Sequence, residues 1–347
     1  MNENVVKGAL ALCTAVAGAF AAPVGYGAAT TGGGAKTPVT VTSLADAQAK
    51  IDAYKSGGLV LYYTGKFDYN TITDVCAQWK KPAQTLEIKN KSDITILGAS
   101  DSSANFGIHI AGSASNIIVQ NMTIGLLPGG ESADSISLEG MSSGKPNNIW
   151  IDHNTIFASL TMCPGAGDAS FDGGIDMKKG AHHVTVSYNY VHDYQKVALN
   201  GYSDKDTANS GSLTTYHHNR FDNVKSRLPL LRFGKAHIYN NYFGNVHSSG
   251  INVRMGATAL IEGNYFENVV NPVTSRDSSK IGYWELRDNY VGTGITWTTA
   301  EGTYANATDW KTTKAYGDVG YKYTLDTAGN VKGRAIATAG ARTNLAQ

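Results

Sequence analysis

An asparagine returns in the same local setting at positions 121, 154, 189, 219, 241, 264 and 289, and this recurrence constrains the chain more than any other feature. The gaps are 33, 35, 30, 22, 23 and 25 residues. The surrounding segments read alike: "NIIVQNMTIG", "NIWIDHNTIF", "HHVTVSYNYV", "LTTYHHNRF", "KAHIYNNYF", "TALIEGNYF" and "IGYWELRDNYV". Each has an apolar strand, one or two polar residues, the asparagine, and usually an aromatic or aliphatic pair. Strand-sized units at this spacing, without helices between them, predict the stacked coils of a parallel β-helix, with loops inserted on one side where the gaps widen. Asparagine suits a turn repeated in every coil because it tolerates the left-handed conformation most residues avoid. Stacking would then align these side chains into an amide ladder.

A solenoid needs covered ends, because its terminal coils expose apolar edges. "SLADAQAKIDAYK" (Ser43 to Lys55) carries the clearest helical periodicity, with Ser43 as N-cap and Asp46 at the capping-box position, and is the expected cap at one end. Beyond Trp297 the repeat is lost among turn-forming residues, which predicts a segment packed along the outside. The 39 glycines and 19 tyrosines fit a turn-rich all-β chain. With 29 basic against 28 acidic residues there is no footprint for duplex nucleic acid or an anionic membrane, so a polyanion would have to be met by a local basic patch.

Residues 1–21 read as a secretory signal: one lysine, a short alanine-rich apolar run, then Ala19-Phe20-Ala21 before Ala22-Pro23. The run is weakly apolar for a membrane span, which wants about 20 apolar residues. Residues 22–347 are then one catalytic domain. Removing the signal takes away Cys13 and leaves Cys76 and Cys163, an even pair bound for an oxidising compartment, where one disulfide is expected over two buried thiols.

Stacked coils bring distant positions together at about 4.8 Å per coil. Carboxylates at Asp134, Asp168, Asp172 and Asp176 are candidate ligands for a hard cation, and the lack of a nearby His/Cys cluster points to calcium rather than zinc. On a straight strand Asp172 and Asp176 would lie about 13 Å apart, but Gly173-Gly174 between them permits a bend. Spacing alone does not separate these residues from ordinary turn aspartates. Lys196 follows, then Arg227 and Arg232 in "KSRLPLLRFG". Residues five apart face opposite sides of a plain strand, whereas Pro229 interrupts pairing and lets the chain turn between the two arginines. Acids followed a coil or more later by bases describe a groove for an acidic polymer.

The segments "NIWIDHNTIF", "FDGGIDMKKGAHHVTVSYNYVHDYQKVALNGYSD", "TTYHHNRFDNVKSRLPLLRFG" and "SGINVRMG" resemble the secreted bacterial pectate lyases of polysaccharide lyase family 1, from about Thr40 to the C-terminus. The "WIDH" and "RLPLLR" stretches match the family's W-I-D-H and R-x-P-x-x-R patterns in order and context. The resemblance implies a right-handed parallel β-helix with an N-terminal capping helix. It also implies a secreted monomer that cleaves polygalacturonate by calcium-dependent β-elimination, with neither nucleic acid nor membrane as partner. By the same resemblance Asp134, Asp172 and Asp176 bind Ca2+, and Lys196 and Arg232 bind the uronate carboxylate. Arg227 is the catalytic base, and Cys76–Cys163 matches a disulfide of close relatives. Ser132 departs from relatives that carry aspartate there, which puts an additional calcium site in doubt, although Asp168 could serve another.

Arginine is an awkward base because its guanidinium stays protonated at ordinary pH. Either a small neutral fraction of Arg227 acts, or Arg227 stabilises charge while hydroxide takes the proton. Arg254 in "INVRMG" either reaches the groove or supports Arg227. Asp152 and His153 of "WIDH" are expected in a buried hydrogen-bonded motif. The pairs His182-His183 and His217-His218 should point to opposite faces and serve coil packing. Rival readings predict different features. A pectin lyase would lack the acidic cluster, a polygalacturonase needs close carboxylates rather than an arginine pair, and a non-catalytic β-helix module would bind without releasing unsaturated product.

Overall fold

The computed structural model describes residues 22–167 and 169–342, so the expected signal segment and Asp168 lie outside the described residues. Consecutive coils pair in register through parallel strands, giving the parallel β-helix that the repeat predicts. One face is a ten-stranded sheet from Val39–Val41 to Tyr283–Arg287, with Asn147–Asp152, His182–Ser187 and Leu213–His217 at its centre. A second face stacks Thr155–Phe157, the first half of Tyr190–Asn200, Arg220–Ser226 and Tyr242–Val246. A third stacks Ile136–Glu139, Asp172–Lys178, the second half of Tyr190–Asn200, Leu230–Arg232 and Ile251–Arg254.

Alternate residues of these strands enter one continuous core running from Val41 to Ala307. Because the register is fixed, like side chains stack on like. Phe221, Phe243 and Phe266 form a column with ring centroids 5.4 and 4.7 Å apart. Each fully buried ring contributes on the order of 2–3 kcal/mol of apolar burial.

The asparagine ladder is present and differs from expectation in two ways. Thr123 pairs with Thr155, so the residue in line with Asn154 is Met122, and Asn121 is displaced by one position. The ladder therefore runs through Asn154, Asn189, Asn219, Asn241, Asn264 and Asn289. Nor are the ladder residues left-handed. That conformation falls to the residue before each: His153, Tyr188, His218, Asn240 and Asp288, with φ between 46 and 55°, and Gly263 at 60°. Asn121, at φ 57°, occupies this preceding position. What the turn demands of the ladder residue is an amide. Asn189 Oδ1 accepts from both Asn154 N (3.0 Å) and Asn154 Nδ2 (2.9 Å), while Asn189 Nδ2 donates to Ile151 O (2.9 Å). The same bonds repeat in each following coil, so amides buried to 0% exposure at Asn154 through Asn264 are satisfied.

Both ends are covered. Helix α1 (Leu44–Ala53) buries Ala47 and Ile51 against the first coils; Ser43 Oγ accepts from Asp46 N, and Asp46 Oδ2 accepts from Thr42 N, each at 3.2 Å. A short helix α2 (Val75–Trp79) carries Cys76, which is disulfide-bonded to Cys163 as expected. The chain beyond Trp297 packs outside the first face as predicted. Tyr321 meets His237 and Thr215, Asp326 N donates to Asn240, and helix α3 (Val331–Thr338) packs on Tyr242. By residue 342 the tail has reached the early coils, where Arg342 N donates to Asn121 Oδ1 (2.7 Å). The N-terminal segment lies on the same face, with Gly27 N on Thr185 Oγ1 and Tyr26 Oη 2.9 Å from Tyr316 Oη.

Substituting Asn219→Ala strips two donors of Asn189 of their acceptor and leaves Val186 O without its side-chain donor. At about 1–3 kcal/mol per orphaned buried group, urea denaturation should show a loss of at least about 3 kcal/mol.

Candidate functional site

The third face places the acids and bases in adjacent rows. Met177 and Leu231 point into the core, so their neighbours Asp176, Lys178, Leu230 and Arg232 face outward. In register, Asp176 lies beside Ser137 and Leu199, and Arg232 beside Arg254, while Asp172 lies beside Lys196. The expected bend is a register shift between Asp172 and Ile175, with Gly173 at φ 92°. A side chain at Gly173 would be impossible without displacement, since a Cβ there would stand 1.8 Å from Asp134 Oδ1.

Asp172 is held by both expected bases: Lys196 Nζ donates to its Oδ2 and Arg227 Nη1 to its Oδ1, each at 3.1 Å. Arg227 reaches this point from the turn that separates strand Arg220–Ser226 from Leu230–Arg232. Its own φ of 65° makes the turn, and its carbonyl accepts from Ala198 N at 2.8 Å. Arg232 extends outward from the end of its strand, donating through Nε to Asp204 Oδ1 (2.9 Å) and through Nη1 to Gly201 O (2.8 Å). Arg254 is 7% exposed and donates to Asp277 through Nη1 and Nη2. Burial and the adjacent Arg232 charge lower its pKa to about 10.

Asp134 and Asp176 are 9% and 3% exposed. Burial pushes the Asp176 carboxyl well above the ordinary carboxylate range, and the charge of Asp134 adds to the effect. Burial also raises Asp134, against the pull of Lys178 and with a further push from Asp172. Asp134 and Asp176 are thus buried carboxylates on one face, each pushed further up by the charge of Asp172. Lys178 was missed in the sequence. Its Nζ lies 2.5 Å from Asp134 Oδ2 and 3.6 Å from Asp176 Oδ2. Burial opposes its charge, but Asp176 and Asp134 outweigh that and raise its pKa. The signal was available: Lys178 shares strand parity with Asp176 two residues earlier. Asp176 Oδ1 remains buried with no hydrogen-bond partner.

Other expectations resolve elsewhere. Ser132 lies in a short turn and donates to Gly129 O (2.8 Å). Asp152 is fully buried and accepts from Gln120 Nε2 and Ser187 Oγ, with His153 Nδ1 2.5 Å away, the hydrogen-bonded motif foreseen for "WIDH". The histidine pairs do not point to opposite faces. His183 and His218 are left-handed, which swings their rings back, so Nδ1 atoms meet at 2.9 Å in His182-His183 and 2.8 Å in His217-His218. Among the described residues no three His, Cys, Asp or Glu side chains stand ready-gathered for a metal. At the acidic cluster the reason is visible, since Lys178, Lys196 and Arg227 pair with the carboxylates.

Comparison with known proteins agrees with the fold. A profile described as pectate lyase matches residues 3–344. Pectate lyase 3 of Pectobacterium carotovorum subsp. carotovorum is 46% identical over 303 residues, covering 83% of this chain and 79% of that protein. Pectate lyase II of Xanthomonas campestris pv. campestris superposes with a TM-score of 0.92 at 70% identity, covering 94% of this chain and 100% of that one. Pectate lyase C of Erwinia chrysanthemi, determined with Ca2+, gives 0.86 at 41% identity, covering 94% and 97% of the two chains. A mutant of pectate lyase C in complex with pentagalacturonic acid gives 0.84 at 40% identity, covering 94% and 98%. A likeness that extends over nearly every coil leaves one assignment: this chain belongs to the pectate lyase family.

Proposed function

We propose that the protein is a calcium-dependent pectate lyase that cleaves α-1,4-linked polygalacturonate by β-elimination, releasing 4,5-unsaturated oligogalacturonides. The observation that carries this reading is the double ion pair of Asp172 with Lys196 and Arg227, set beside the buried carboxylates of Asp134 and Asp176. Family membership and the pentagalacturonic acid complex of pectate lyase C support it. We read the protein as a secreted monomer, and the Cys76–Cys163 disulfide favours an oxidising compartment. No helix of the described residues is long and apolar enough to cross a membrane.

The donor set fits calcium. All three candidate ligands are carboxylates, the chemistry a hard cation selects. The partnerless Asp176 Oδ1 has a lone pair to give, and a divalent charge would relieve the repulsion that raises Asp134 and Asp176. Asp134, Asp172 and Asp176 would hold the ion. An ion held there would supply positive charge to neutralise the uronate C6 carboxylate, which would make the C5 proton more acidic. Lys196 and Arg232 bind and orient the same carboxylate and stabilise the negative charge that grows on it. Arg227 serves as the base that takes the C5 proton. The C5–H electron pair becomes the C4–C5 double bond as C4–O4 breaks, and O4 leaves to take a proton from solvent.

Product formation is read as ultraviolet absorbance from the unsaturated sugar. It should rise on polygalacturonate with calcium, disappear with a chelator, and stay low on highly methylated pectin. Equal signal on methylated pectin in chelator would overturn the reading. Arg227→Lys should reduce turnover by about 100-fold or more while calcium affinity changes little. Retained turnover would remove Arg227 as the base.

Asp176 also makes a prediction about stability. Its carboxyl pKa in the folded protein lies above the unfolded value, so the native state is progressively penalised as pH rises through the interval between them. In chelator at pH 8, Asp176→Asn should therefore unfold at higher urea than the wild type. The difference should vanish toward about pH 3, below the unfolded carboxyl value of about 3.9, where the group is protonated in both states. Calcium at 100 times its Kd should add about 2.7 kcal/mol to the wild type and much less to Asp176→Asn.

A further inference from the structure

Asp204 closes one of the segments that resemble the family but was given no role in the sequence, and in the structure it joins three separate segments. It belongs to the loop after strand Tyr190–Asn200, and its Oδ1 accepts from Arg232 Nε (2.9 Å) and from the Ser278 hydroxyl. Its Oδ2 accepts from Ser279 N (2.8 Å). Partial burial works against its charge, but the bonds from Ser278, Ser279 and Arg232 hold the carboxyl well below the usual range, so it is an anion throughout the working pH range. The anion is therefore built into the site.

The geometry defines what this anion does to Arg232. A guanidinium offers five N–H groups in a rigid plane. The Nε edge is taken by Asp204, and one Nη1 proton is taken by Gly201 O (2.8 Å). Among the described residues no acceptor meets Nη2. These two bonds restrain the guanidinium at Nε and at Nη1, leaving Nη2 as its open donor. Gly201 is part of the cradle: its φ is 91°, and a Cβ there would lie 3.0 Å from Arg232 Cβ. The Arg232 carbonyl is tied as well, accepting from Asn209 Nδ2 (2.7 Å) in the same loop. The side chain is thereby held at 11% exposure with its charge not fully spent on protein partners.

We propose that Asp204 is a positioning residue for the lyase reaction: it fixes the Arg232 guanidinium so that the Nη2 side meets the uronate carboxylate. The proposal rests on the reading of Arg232 as a carboxylate-binding group. Free arginine side chains sample many rotamers, and immobilising one beforehand lowers the entropic cost of binding. Asp204 also joins this arginine to the neighbouring one, because Asp277, which holds Arg254 through its backbone oxygen at 2.9 Å, directly precedes Ser278. The two guanidiniums are in register on adjacent strands and would otherwise repel. The Asp204 carboxylate offsets that repulsion.

The alternative is a loop staple, in which Asp204 merely ties residue 204 to residues 278 and 279. Kinetics on polygalacturonate with saturating calcium separate the two. Asp204→Ala should raise KM about 10-fold or more and lower kcat less. Asp204→Asn, which keeps the shape and loses the charge, should fall between it and the wild type. Ser278→Ala breaks a loop tie without touching the Arg232 pair and should leave KM within about 2-fold, with Tm falling as far as it does in Asp204→Asn. Arg232→Ala should raise KM and lower kcat, and adding Asp204→Ala to it should raise KM no further, since the two act as one unit. Independent, multiplicative effects of the two substitutions, or a KM rise in Ser278→Ala equal to that of Asp204→Ala, would overturn the positioning role while leaving Arg232 as a binding group. An unchanged KM in Arg232→Ala would overturn the reading of Arg232 itself and the proposal with it.

Discussion

Parallel backbone pairing between successive coils is the interaction on which everything else depends. It fixes which residue lies beside which, so a side chain is placed by its row as much as by its neighbours in sequence. Asp172 meets Lys196 because the two are paired in the same row, 24 positions apart in the chain. The ladder makes that register hard to shift. A slip of one position would put a turn residue such as Tyr188 where the amide of Asn189 bridges two coils, leaving buried donors without acceptors.

Against this rigid frame, the third face concentrates charge that does nothing for stability. Burial raises the pKa values of both Asp134 and Asp176, Asp134 adds to the rise of Asp176 and Asp172 to both, and Asp176 Oδ1 has no partner. The surrounding bases relieve part of the strain: Lys178 bridges two acids, and Lys196 with Arg227 neutralises the third. Unfavourable electrostatics tolerated by a stable scaffold are what a site built for a divalent cation and a polyanion requires. The frame supplies the energy that the site gives up.

Much of this was legible in the sequence because the repeat is itself the fold. The coil period, the capping helix and the outer tail followed from patterns in the chain, whereas Asp172, Lys196 and Arg227 were singled out together only by the resemblance to the pectate lyases. The errors have specific physical origins. Asn121 looked like a ladder residue because a one-residue offset is invisible when the preceding position also favours asparagine. The paired histidines were misplaced by the assumption of continuous strand, which His183 and His218 break by turning left-handed. Lys178 and Asp204 lie in the same recognised segment and were missed for different reasons. The first was passed over for its acidic neighbours, whereas the second acquires meaning only when its loop meets residues 278 and 279, far along the chain.

The outer tail changes how such a structure comes apart. A bare stack of coils interacts only with nearest neighbours and can fray from either end, one unit at a time. Here the polypeptide leaving the last coils doubles back past Asn240 and Tyr242 to reach Asn121, and the opening segment is clasped to it through Tyr26 and Tyr316. The late coils cannot peel away without pulling at the early ones. The strap turns a linear array into a closed loop of dependencies, which favours a single concerted collapse over stepwise unravelling.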